Sequence, residues 1–159
     1  MTTLHDDVLG DLSYEYGWIR PYRVQFAGSM TDIQLVVPCD EGDSIEDAQR
    51  AAFTEFDTAK NLYAQQAETA IYHHYLSACA EYRERFGPDF ADQMAPIIIE
   101  QRQIVPLITP TQLIIQQSFS TGDRVVGLLY MCSWEPELGL AVKFVNGSID
   151  EVGTQDIIL

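Results

Sequence analysis

From Ser44 to Phe86 the chain runs 43 residues without a proline or a glycine, and no other stretch limits the fold so strongly. Such a run predicts one long helix, or two nearly collinear ones. Ser44 is a suitable N-cap with Asp47 three residues on as a variant of the capping box, and Glu46 and Asp47 place negative charge at the positive end of the helix dipole. At the other end Arg83 and Arg85 occupy the last turn before Gly87-Pro88, the usual order of stop signals. Ile45, Ala48, Ala52, Phe56, Ala59, Tyr63, Ala67, Ala70, His74, Ala78 and Tyr82 recur at spacings of three and four, which predicts a single apolar stripe.

The flanks read as β-structure. Leu4 to Leu12 is short and acidic, a loop or a first edge strand. Trp18 to Phe26 and Asp32 to Val37 are rich in β-branched and aromatic residues with Gly28-Ser29 between them, which predicts a hairpin whose first strand Pro21 places at an edge or delays. Pro38 to Asp43 is an acidic loop leading to the helix. Beyond the helix, residues 90 to 99 have no clear pattern, and Thr109-Pro110-Thr111-Gln112 suggests a single helical turn. Strands are expected over Leu113 to Phe119, Arg124 to Trp134, Leu138 to Val145 and Ser148 to Val152, with Asn146-Gly147 as the best two-residue hairpin turn. The expectation is one α+β domain over residues 1–159: a mainly antiparallel sheet of about six strands, order β-β-α-β-β-β-β, packed on one long helix.

The charge balance narrows the function. Twenty-four acidic against nine basic residues give a net charge of −15, which excludes direct binding of nucleic-acid phosphates or of an anionic membrane. Basic or neutral partners fit; so does plain solubility. Residues 1–43 hold eight acids and two bases, residues 44–86 seven and four, and residues 87–159 nine and three, so the excess lies mainly outside the helix. Cys39, Cys79 and Cys132 are widely spaced and form no C-x-x-C pair, as expected of reduced thiols. The acidic start lacks the basic region of a signal peptide, and no apolar run reaches the length of a membrane span, so a cytoplasmic protein is expected.

No G-x-G-x-x-G, G-x-x-x-x-G-K-[ST] or H-E-x-x-H is present, so no cofactor or metal is expected. His73 and His74 are adjacent, which on a helix points them about 100° apart, whereas a helical metal site wants i and i+4; a core or boundary place suits both better. Glu135 and Glu137 flank Pro136 and could in principle serve as acid and base, but a glycosidase usually draws its carboxylates from different elements and needs a sugar cleft. Trp134 beside them is either a core residue at a strand end or an interface anchor.

The run from Val126 to Phe144, with Asn146-Gly147 and Val152-Gly153 after it, resembles a bacterial family of small acidic proteins of unassigned function. Their pattern is W-[DE]-x-E-H-G-[LV] between two strands. Trp134, Glu135, Glu137, Gly139 and Leu140 match it, and Leu138 stands where those proteins usually carry His. The earlier half resembles the family more loosely, through F-x-G-x-x-x-D-I-x-L-V-V at Phe26 to Val37, Gln49 early in the helix, and Tyr72, Tyr75 and Tyr82 towards its end. Proteins of this kind are often encoded beside polymorphic toxins. The resemblance therefore implies a non-enzymatic immunity protein that forms a heterodimer with a cognate toxin and blocks its active site. A basic, nuclease-like toxin would suit the acidity. The expected contacts are Asp40, Glu41 and Asp43 in the loop, and Trp134, Glu135 and Glu137 in the motif. An acidic DNA mimic that inhibits a nucleic-acid enzyme, a hydrolase using Glu135 and Glu137, and a housekeeping domain without a dedicated partner are the other readings.

Overall fold

The structure, a computed structural model, describes residues 2–159. Eight strands, β1 (Thr3–Asp6), β2 (Gly10–Tyr14), β3 (Trp18–Phe26), β4 (Ser29–Val37), β5 (Ile108–Gln116), β6 (Val125–Cys132), β7 (Leu140–Val145) and β8 (Ser148–Gly153), lie side by side in chain order. Every pairing is antiparallel except that of β4 with β5, which is parallel. Parallel neighbours cannot be joined by a tight turn. The chain between them crosses over instead, and the crossover holds α1 (Asp47–Thr58), α2 (Lys60–Phe86), the short α3 (Ala91–Met94) and a 3-10 segment, Gln101–Leu107.

The α+β class stands, but six strands on one long helix is corrected to an eight-stranded mixed sheet with a divided helix. The two extra strands are the acidic stretch near the N-terminus, which forms the β1–β2 hairpin with Leu4 opposite Leu12. Leu9 and Leu12 are buried, and the Arg20 side chain donates to the Leu9 carbonyl at 2.5 Å, so tertiary contacts hold a hairpin too short to be read locally. Thr109 to Gln112 is part of β5 rather than a helical turn; the ladder absorbs Pro110, which lacks an N–H, in a register shift before Gln112. Pro21 sits inside β3, beyond the last β2 partner at Ile19, where that side of the strand has no neighbour to bond.

The helix breaks at Ala59, whose backbone (φ −130°, ψ 34°) is not helical, and the N-cap of α1 is Glu46 rather than Ser44. On α2 the fully buried residues are Ala64, Ala67, Ile71 and Tyr75; of the expected stripe Ala67 is among them, Tyr63 and Tyr82 pack partly buried against the core, and Ala70, His74 and Ala78 lie at its margin. Alanines occur around most of α2, and the space over the sheet is filled by its larger neighbours Ile71 and Tyr75. Together with Ala52, Phe53 and Phe56 of α1 they cover a core of alternate strand residues, among them Leu35, Val37, Leu113, Leu128, Tyr130, Val142 and Phe144.

The opposite sheet face carries a smaller cluster. Ile19, Val36, Ile114, Leu129 and Ala141 are capped by Ile158, which a 3-10 turn at Gln155–Ile157 swings back across the strands. Gly127 is what lets it in, because a Cβ there would overlap Ile158. Among the described residues no helix is long and apolar enough to cross a membrane.

Candidate partner-binding surface

Strands β4 and β5 run parallel and both end, at Val37 and Gln116, on the side of the sheet where β6 and β8 begin. Four connections crowd that end: Glu15 to Gly17, Pro38 to Glu46, Gln117 to Arg124, and Asn146-Gly147. Polar bonds tie them down. Gln49 is wholly buried; its amide NH₂ donates to the carbonyls of Pro38 (2.8 Å) and Ile115 (3.0 Å), while its oxygen accepts the Glu46 N–H (3.0 Å). The Glu46 carboxylate turns the other way and accepts the N–H and hydroxyl of Ser118 at 2.8 and 2.9 Å. The Tyr14 hydroxyl donates to the Cys39 carbonyl (3.0 Å) and accepts the Glu41 N–H (3.1 Å). Asn146 accepts the Arg124 N–H at 2.9 Å and donates to Asp123 at 3.0 Å.

On this platform Asp40, Glu41 and Asp43 are exposed, and none of them takes part in an ion pair among the described residues. Burial raises the Cys39 thiol above its ordinary value, and the charges of Asp43, Asp40 and Glu46 add to the rise, so the sulfur stays protonated at neutral pH and is a poor nucleophile. From the neighbouring connection Phe119 projects into solvent, 70% exposed. Phe119 and Ser120 both adopt left-handed backbone (φ 52° and 71°), a conformation that costs a side-chain-bearing residue about 1–2 kcal/mol. The Ser118 carbonyl, which accepts from both the N–H and the hydroxyl of Thr121, holds the turn closed. Phe119 was expected to end a strand; the Ser-Thr-Gly-Asp sequence after it is the signal for the loop.

The second set of expected contacts lies at the other end of the sheet, in the β6–β7 connection. Trp134 is 2% exposed and packs on Tyr75 with ring centroids 4.6 Å apart, so it is a core residue and no surface anchor. Glu135 has a side chain only 16% exposed, with Arg85 at 3.7 Å, and its carbonyl accepts the Gly139 N–H at 3.0 Å. Glu137 and Leu138 are exposed. Gly139 has φ 65°, and a Cβ on it would meet the Gln155 amide at 2.5 Å. The turn motif is thus a structural device: tryptophan into the core, one glutamate against an arginine, glycine for the reversal. Glu135 faces Arg85 while Glu137 faces water.

The family model described as a domain of unknown function (DUF6985) matches residues 8–159. The chain belongs to that family. No curated protein and no solved structure matches it.

Within this DUF6985 domain the six expected contacts divide. Asp40, Glu41 and Asp43 share one end, Glu137 is exposed at the other, and Trp134 and Glu135 serve the fold. Burial pushes the Cys132 thiol up to about 12. His74 is held below the ordinary histidine value by burial, as suits a boundary residue, and His73 is exposed on α2. Among the described residues no group of three or more His, Cys, Asp and Glu is placed to hold a metal ion. What the acidic end offers chemically is a set of exposed, unpaired carboxylates on bonded loops, with an exposed aromatic ring elsewhere on the same end of the sheet, suited to binding a basic surface.

Proposed function

We propose that this DUF6985 domain is a non-enzymatic immunity protein, which binds a cognate bacterial toxin in the cytoplasm of the cell that makes both and blocks its active site. The observation that supports this reading best is the acidic end: Asp40, Glu41 and Asp43 stand in solvent without cationic partners, on loops bonded into place, with exposed Phe119 on the same end. A nuclease toxin must be basic to hold phosphates. Its positive cleft would be drawn to these carboxylates by long-range attraction, and Phe119 would supply the buried anchor first expected of Trp134. The resemblance carried by the Trp134 to Leu140 turn gives the toxin-linked context.

The test is co-expression. The toxin domain encoded beside this protein is produced in a susceptible bacterium with the wild-type chain or with Asp40, Glu41 and Asp43 all changed to Lys. Survival and co-purification are expected with the wild type. With the triple variant, association should slow at least about tenfold and lose most of its salt dependence. Killing that the wild-type chain cannot relieve would end the immunity reading. Unchanged kinetics in the triple variant, with slowing in Glu137→Lys, would move the interface to the opposite end.

A further inference from the structure

Strand β8 is the last in the sheet, so one side of its main chain faces no other strand among the described residues. An edge of this kind is a ready template for another strand. Here the start of the edge also borders a helix. The flank of α2 runs beside it, and a shallow, open groove of about 610 Å³ lies between Leu62, Gln66, Thr69, Ala70 and His73 on the helix and Ser148 and Ile149 at the start of the strand. A helix flank beside a free strand edge offers what an extended peptide needs: main-chain partners on one side and a wall for alternate side chains on the other.

The chemistry of the occupant follows from charge. A second copy of this chain paired edge to edge would bring Asp150 and Glu151 against their own counterparts, and opposed like charges destabilise a sheet. Both acids are exposed. Lys143 reaches Asp150 only at 3.9 Å, Glu151 is in no ion pair among the described residues, and no lysine or arginine lines the groove. In β8 Ile149 and Val152 pack towards the helices, whereas Glu151 lies opposite Lys143 on the other face. A ninth strand would therefore fit best with apolar side chains under α2 alternating with basic ones beside the carboxylates. We infer that β8 and the flank of α2 form a strand-addition site for an extended, basic segment of a partner protein. The inference does not require that partner to be a toxin, so it stands or falls apart from the rescue assay.

The probes are two capped hexapeptides, one alternating valine with lysine and one alternating valine with glutamate, titrated into the isotope-labelled full-length protein while amide NMR signals are followed. The lysine peptide should shift the amides of residues 148–153 and 62–73, and the glutamate peptide should not. Asp150→Lys combined with Glu151→Lys should weaken the lysine peptide about tenfold, and Ala70→Trp should abolish binding by filling the groove. Should Ala70→Trp disturb the fold, the charge variant, made at two exposed positions, decides alone. Equal shifts from both peptides, shifts confined to residues 40–47, or none at millimolar peptide would overturn the proposal.

Discussion

Gln49 is the residue on which the acidic end depends. Its three side-chain hydrogen bonds reach the start of α1, the end of β4 and the end of β5. Replacing it with Leu leaves two buried carbonyls and one N–H without partners, each worth about 1–3 kcal/mol. Urea denaturation of Gln49→Leu should show a loss of about 3 kcal/mol or more, and the loop amides of residues 39–43 should exchange faster with solvent. The opposite end has its own dependence: Gly139→Ala should cost about 1–2 kcal/mol for the left-handed backbone alone, and Trp134→Ala about 3–5 kcal/mol as a core truncation. The sequence marked Gln49 only through a resemblance, because two of its three partners, Pro38 and Ile115, lie 11 and 66 residues away. Trp134, expected as a partner contact, lies in the core instead, because an indole suits both places and its packing on Tyr75 is a contact between distant residues.

Among the elements, the C-terminal turn behaves as a latch. Ile158 closes the second sheet face, with its carbonyl held by the Gln116 side chain at 2.6 Å, and the Gln155 amide donates to the Tyr130 carbonyl at 3.1 Å. A methyl group at position 127 occupies the space Ile158 needs. Gly127→Ala should therefore release residues 154–159 to limited proteolysis and cost about 1.5–3 kcal/mol, the value of one buried isoleucine. The same scale shows why elements were harder to read than positions. The hairpin turn at Asn146-Gly147 and the later strands stood out through local pattern, while β1 and β2 are stabilised by contacts with β3 and α1 that no local window contains. The break at Ala59 likewise has no proline or glycine to announce it.

The whole molecule carries −15 charges, and self-repulsion of that size opposes compactness. Adding neutral salt at pH 7 should raise the melting temperature, and a fall would indicate that the ion pairs outweigh the repulsion. Asp6 makes a separable contribution. Burial alone would raise its carboxyl, but the N–H groups of Leu9 and Val8 and the Arg50 guanidinium at 2.9 Å outweigh that and hold it below the usual value of 3.8. A depressed folded value stabilises the fold above the unfolded one and loses that stabilisation as pH falls. Asp6→Asn should accordingly be less stable than the wild type at pH 7, with the gap closing below about pH 3.8. A gap that persists at about pH 2 would mean that packing rather than charge is responsible.

Local chemistry by itself determined that the chain combines a long helical stretch with a β-rich remainder, that it is strongly acidic, and where several strands and the Asn146-Gly147 turn lie. Those features depend on residues within a few positions of one another. Only the tertiary structure decided that β4 and β5 pair in parallel, that Trp134 is core while Phe119 is surface, and that the acidic loop and the Trp134 turn lie at opposite ends of one sheet. These follow from contacts between distant residues, whose outcome depends on which side chains fill the shared space.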